Sequence, residues 1–272
     1  MKSNSVNINK KGDLVYITFP KLEALGILNH AFTTKLGGVS KGHFSSMNMS
    51  FNRGDERSSV IKNYEIICGA VGIDTKNLCF SKQTHTDNVL VVTKNDRGTG
   101  FNRPEFSDID GLVTNNKNVA LVTQFADCTP LLFCDPVKKV IASSHSGWRG
   151  TVKRIGKKTV ETMVDNFGCD PKDIVAAIGP CIGKCCYEVD SPVYDEFQKA
   201  DFNNDLIFTE KENGKYMLDL RLANKIILNE AGIREENIDV ADVCTCCNSN
   251  EMFSHRANGT KRGNLAAIIE LK

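Results

Sequence analysis

Apolar residues recur along the chain with two periods. Between residues 59 and 71, Val60, Ile61, Tyr64, Ile67, Cys68 and Val71 fall at three- and four-residue steps, which is the spacing of one helix face. Ser58 stands where an N-cap belongs, and Gly72 stands where the helix should stop. Residues 151–167 repeat this pattern with Val152, Ile155, Val160, Met163, Val164 and Phe167, and Gly168 follows as the cap. Residues 191–199 and 219–231 read as two further helices, the second ending at Gly232. The run LVYITF (14–19) has the β-branched and aromatic content of a strand. Residues 78–93 predict a pair of strands around KQTHTD. VALVTQF (119–125), PLLFCDP (130–136), VIASSHSGW (140–148) and IVAAIGP (174–180) are dense apolar runs, as expected of strands covered on both faces. VADVC (240–244) and AAIIEL (266–271) read as two more strands, while 31–51 and 94–107 carry the Gly, Ser, Asn and Pro of loops. Helices and strands alternate, with no repeat, low-complexity tract or linker. The expectation is one mixed α/β (α+β) domain over residues 1–272, with mixed sheets and flanking helices.

Composition narrows the function classes. The net charge of +1 leaves no broad electrostatic footprint for nucleic acid or an anionic membrane surface. No run approaches the ~18 consecutive apolar residues of a membrane span, and the N-terminal stretch has no apolar run of signal-peptide length. The expectation is a cytoplasmic protein, a monomer, with a small-molecule substrate and no protein partner readable. In that compartment the eleven cysteines stay reduced and do not form a disulfide framework.

Candidate chemistry lies in the polar breaks between apolar strands. Of five histidines, His85 sits in KQTHTD and His145 in SSHSGWRG, and Cys128 stands between them in ADCTP. Cys128 ends one predicted strand and Pro130 begins the next, so the thiol belongs at a strand tip. Two imidazoles and a thiolate converging from three strand ends make a three-ligand zinc set with an open fourth position. Asp87 and Asp127 are candidates to hold the imidazoles or carry protons. The same atoms also allow a nucleophilic Cys128 with a histidine base, or two packed histidines beside a core thiol. Five histidines cannot supply a conventional multicopper cluster. Two cysteine clusters, Cys181/Cys185/Cys186 and Cys244/Cys246/Cys247, contain parts of a thiolate metal site but lack paired CxxC spacing. They are read as buried structural thiols.

The runs KQTHTDNVLVV, DGLVT, ADCTPLLFCDP, SHSGWRG, IGPCIGKCCYEV and FSHRANGTKRGNLAAIIEL together resemble the YfiH-like family, once labelled polyphenol oxidase or laccase-domain. The resemblance runs from about Thr33 to Leu271. It implies a single mixed α/β domain, also compared with cysteine-dependent toxin deamidases, and zinc held by His85, Cys128 and His145. It implies a purine nucleoside enzyme. Such an enzyme phosphorolyses adenosine, inosine, guanosine and methylthioadenosine, with inorganic phosphate as co-substrate, and deaminates adenosine. Some bacterial members are linked to editing of peptidoglycan precursors, which would suit the cysteine-hydrolase alternative. The implied chemistry calls for cationic and amide donors near the metal. Arg149 offers a bidentate fork to phosphate or ribose. Lys82 is a second cation, and Gly38 with Lys35 in TTKLGGVS offers an anion-binding loop. Trp148 is a candidate to stack on a purine. Many members carry Arg where this chain has Lys35, and Tyr where it has His255. The first change loses a fork, and the second leaves His255 and Arg256 as open candidates.

Overall fold

The computed structural model of the chain describes residues 1–272. In chain order the strands are β1 (Asn7–Lys11), β2 (Leu14–Thr18), β3 (Leu28–Thr33), β4 (Leu78–Lys82), β5 (Val89–Val91), β6 (Phe106–Ser107), β7 (Gly111–Thr114), β8 (Ala120–Phe125), β9 (Thr129–Asp135), β10 (Val140–Ser146), β11 (Val175–Ile178), β12 (Glu188–Val189), β13 (Phe208–Glu210), β14 (Tyr216–Leu218), β15 (Ile238–Val240) and β16 (Leu265–Leu271). They form a seven-stranded sheet in the order β1-β2-β3-β16-β8-β4-β6, a six-stranded sheet β15-β11-β9-β10-β7-β5, and a small sheet β12-β14-β13. Both large sheets mix parallel and antiparallel pairs.

Alternation along the strands explains how the layers stack. On β16, Leu265, Ala267 and Ile269 face Leu132, Cys134, Ile141 and Ala177 of the other large sheet in one core. Ala266 and Ile268 point the other way, onto Val60, Tyr64 and Ile67 of helix Arg57–Val71. On the second sheet Leu131, Phe133, Val140 and Ala142 pack against Val160, Met163 and Leu228 of helices Ile155–Phe167 and Leu220–Glu230. The result is a helix–sheet–sheet–helix sandwich. Its central strands are buried on both faces, which is why their sequences show no polar alternation.

Most predicted elements are present, with four corrections. The helix expected over 151–167 is two helices, Trp148–Val152 and Ile155–Phe167, because Arg154 adopts a left-handed backbone (φ 60°) between them. Residues 31–33 of the expected loop belong to β3, and only Val240 of the expected 240–244 strand lies in β15. Helix Arg57–Val71 stops at left-handed Gly72 as expected, but its N-cap is Glu56, not Ser58. No helix is long and apolar enough to cross a membrane.

His30 on β3 is buried and accepts the Phe19 backbone N–H at Nε2 (2.8 Å). Burial pushes its pKa down to about 4, so the folded imidazole stays neutral while an unfolded one titrates near 6.5. Between those values the unfolded chain binds the extra proton. Stability is therefore full above about pH 6.5 and falls as pH drops toward 4, by at most ~1.4 kcal/mol per pH unit from this one group. Denaturant unfolding at a series of pH values checks this, and His30→Gln is expected to flatten the slope in that window only.

Candidate metal centre and its cavities

Strand register builds the site. In the β9–β10 hairpin His145 lies opposite Pro130, and Ser146 lies opposite Thr129. Cys128, one residue before β9, therefore meets His145 at the open end of the hairpin. On the other flank of β10, Ser144 pairs with Gly111, and the His145 N–H donates to the Asp110 carbonyl (2.7 Å). His85 comes from the segment after β4. The donor atoms of His85, Cys128 and His145 lie within 4.8 Å of one another, with Cys128 Sγ 3.8 Å from His85 Nε2. A tetrahedral ion at ordinary Zn–S and Zn–N lengths sets its S and N ligands about 3.6 Å apart. None of His30, His43 and His255 joins this group.

Asp110 ties the arrangement together. Its carboxylate is fully buried and takes backbone N–H bonds from Thr84, His85 and Thr86 and the Thr86 hydroxyl (2.8–3.1 Å). It also bonds His145 Nδ1 at 2.9 Å. That leaves His145 Nε2 for the cluster, the usual second partner of a metal-ligating histidine. Burial alone would raise the Asp110 pKa, but the His145 and Thr86 bonds outweigh it and hold it at about 2. Burial would likewise lower His145, but Cys128 and Asp110 raise it to about 10. Burial opposes ionisation of Cys128, and His145 and His85 overcome it to bring the thiol down to about 6. His85 (φ 66°) and Asp127 (φ 85°) both hold left-handed backbone, a local strain typical of functional sites. Gly147 leaves the necessary room. A Cβ there would lie 2.7 Å from His85 Cδ2 and 3.0 Å from Cys128 Sγ.

Two cavities meet at this cluster. One, of about 440 Å³, is lined by Cys128, Trp148, Arg149, Tyr187, His255 and Arg256, among others. The other, of about 340 Å³, holds Arg53, Lys82, Gln83, Cys128 and His145. His85 and Arg262 line both. The Arg149 guanidinium lies 4.2 Å over the Trp148 ring, a cation–π stack.

Several expectations need correction. Asp127 is no free proton carrier. Its oxygens accept from Thr245 Oγ1 (2.6 Å), Ser254 Oγ (3.1 Å) and the Arg256 N–H (2.6 Å), so it clamps two loops. Asp87 lies 3.9 Å from Lys153 Nζ, and the carboxylate on the imidazole is Asp110. Lys35 donates to the Ser249 carbonyl and lines a neighbouring cleft that shares only Arg262 with the site. The Gly38 N–H donates to Ser46 Oγ, and the Val39 N–H to Asn63 Oδ1. The glycine loop's amides are therefore used internally. Cys181 and Cys244 are buried, but Cys185 and Cys247 are exposed, against the reading of both clusters as buried thiols. Sequence reasoning missed Asp110, Tyr187 and Arg262. The runs DGLVT, IGPCIGKCCYEV and FSHRANGTKRGNLAAIIEL contain them, but nothing local marks their role.

The lowered Cys128 pKa has a direct readout. In metal-free protein, iodoacetamide should alkylate Cys128 readily at pH 7, the rate falling about tenfold per pH unit well below pH 6. Cys79, pushed up to about 12 by burial, should stay unlabelled. Peptide mapping after timed labelling checks both, and His145→Gln should slow the Cys128 reaction at neutral pH.

Comparison with known proteins places this geometry. Residues 29–272 match the family model described as multi-copper polyphenol oxidoreductase laccase. A purine nucleoside phosphorylase, YlmD of Bacillus subtilis, is 39% identical over 89% of this chain and 87% of its own length. An adenosine deaminase from an unknown prokaryotic organism is 34% identical over 86% of this chain and 90% of its own. The crystal structure of the hypothetical protein YfiH of Bacillus licheniformis superposes with a TM-score of 0.92 at 33% identity, covering 99% of this chain and 100% of that one. On the matched model, the sequence identities and the shared fold, the chain belongs to the YfiH-like family of laccase-domain proteins.

Proposed function

We propose that this chain is a zinc-dependent purine nucleoside enzyme. It would phosphorolyse adenosine, inosine, guanosine and methylthioadenosine to base and sugar 1-phosphate, and deaminate adenosine to inosine. The observation that carries this reading is the junction of two cavities at one N,N,S donor set. Both cavities carry cationic side chains, and the larger adds the rings of Trp148 and Tyr187. The names of the similar proteins, a purine nucleoside phosphorylase and an adenosine deaminase, support it.

His85, Cys128 and His145 would hold the zinc, and the spacing of their donor atoms suits it. When bound, the ion supplies Lewis acidity and a hydroxide source near neutral pH. The rest of the chemistry falls to the chain. Trp148 and Tyr187 give the larger cavity an aromatic wall for a purine, and Arg149 and Arg256, which lie over those rings, offer donors to the ribose. Arg53, Lys82 and Arg262 gather positive charge in the smaller cavity, where a phosphate oxygen can approach the anomeric carbon as the base departs. Arg262 lines both cavities and so can bridge the two substrates. His255 Nδ1 lies 3.1 Å from the Gly259 carbonyl. With that N–H donated, Nε2 is left to exchange a proton with the base. Asp110 keeps the His145 ring oriented throughout.

A second reading rests on one observation. Cys128, His145 and Asp110 form a nucleophile–base–carboxylate chain with a thiol near 6, as a cysteine amide hydrolase needs. Such an enzyme, acting on peptidoglycan precursors, would work without metal.

Elemental analysis paired with chromatography separates the readings. Adenosine should give adenine only with phosphate present and inosine without it, and Cys128→Ala should lose the metal at this site and at least ~10³-fold in turnover. Full activity after chelation would instead favour the thiol nucleophile. Lys82→Ala is expected to raise KM for phosphate about tenfold, as for loss of a charged hydrogen bond, with a smaller effect on deamination. Steady-state kinetics in varied phosphate checks this.

A further inference from the structure

A second group of sulfur atoms lies outside the centre described above. Cys185, Cys186, Cys244 and Cys247 place their four sulfurs within 4.8 Å of one another. Cys247 Sγ is 3.4 Å from the sulfurs of both Cys185 and Cys186. Two short loops carry them. A parallel bridge between Cys181 and Cys244 starts both loops side by side, and the Thr245 N–H donates to the Cys181 carbonyl at 3.0 Å. Each chain then turns tightly. Cys186 N–H bonds the Gly183 carbonyl (2.9 Å), and Asn248 N–H bonds the Cys244 carbonyl (3.1 Å).

The backbone is arranged for a thiolate. The N–H groups of Gly183 and Cys247 point at Cys244 Sγ at 3.2 and 3.5 Å. Both N–H groups can donate to that sulfur when it carries charge. Gly183 lets the backbone pass close to the thiols, since a Cβ there would sit 3.2 Å from both Cys185 Sγ and Cys244 Cβ. Lys184, Arg221 and Lys225 line the adjoining cleft and offset negative charge there.

We propose that Cys185, Cys186, Cys244 and Cys247 bind one zinc ion as a closed tetrathiolate site. At about 2.3 Å per Zn–S bond, tetrahedral ligand sulfurs lie about 3.8 Å apart. The observed separations, from 3.4 Å to at most 4.8 Å, bracket that value. Soft thiolates in this number select zinc over hard cations. Binding replaces the thiol protons, which pass to solvent, and needs no oxidant. Cys246 contributes no sulfur to the group.

The site pins a wall of the larger cavity. The Cys186 and Glu188 carbonyls each accept from the Arg256 guanidinium at 2.9 Å, and Ile182 and Tyr187 on the same loop line the cavity. Losing the ion should therefore lower Tm and loosen whatever occupies that cavity.

The test uses the full chain purified without chelator or added oxidant. Cys128→Ala should still carry one zinc per chain, and adding Cys185→Ser and Cys247→Ser should reduce that to none. Wild-type protein supplies a readout free of folding defects. The exposed Cys185 and Cys247 should resist iodoacetamide until a strong chelator is added, and then label rapidly. Zinc-free Cys128→Ala protein, rapid labelling before chelation, or recovery of Cys185 or Cys247 in a disulfide would overturn the proposal.

Discussion

The Asp110 carboxylate is the constraint on which the site depends. A fully buried charge is tolerable only when its lone pairs are used and a counter-charge is close. Here three backbone N–H groups, one hydroxyl and one imidazole converge on it. The same bonds that stabilise the carboxylate fix the 84–86 segment, and with it His85 and the ring of His145. Removing Asp110 would orphan donors and free both histidines at once, so folding and chemistry share one group.

The sandwich makes that convergence possible. Central strands covered on both faces hold their register firmly, because a one-residue slip would move every side chain to the opposite face. β9 and β10 are such strands, with every residue buried. Their register brings Cys128 and His145 together, while β7 beside β10 delivers Asp110. Asp127, next to Cys128, draws in the loops carrying Thr245 and Arg256. The Arg256 loop lines the larger cavity, and the Thr245 loop carries Cys244 and Cys247 of the four-cysteine cluster. Sheet register thus sets the donors, and side-chain clamps set the cavities around them.

Much of this was legible in the sequence. His85, Cys128 and His145 stand out because histidine is scarce and each of the three sits in a polar break between apolar runs. The strands betray themselves by unbroken apolar runs, and helix Arg57–Val71 by its period and terminal glycine. Asp110 was not legible. It is one of 33 acidic residues, and only the long-range pairing of β7 with β10 gives it its role. Asp127 was visible by adjacency, but its oxygens are spent on contacts about 120 residues distant in sequence. The break at Arg154 was hidden because the apolar period continues through it. The cysteines of the second cluster were seen, but their convergence depends on a bridge between Cys181 and Cys244 that no local pattern announces.

The central claim is that His85, Cys128 and His145 act as one ligand set held by Asp110. Zinc-edge X-ray absorption on the chain carrying Cys185→Ser and Cys247→Ser tests it most directly, since that chain keeps only this centre. The account predicts a four-coordinate shell of one sulfur at about 2.3 Å and three nitrogen or oxygen atoms at 2.0–2.1 Å. It also predicts imidazole scattering that disappears with the ion in Cys128→Ala. A shell without sulfur, or one unchanged by loss of Cys128, would contradict it.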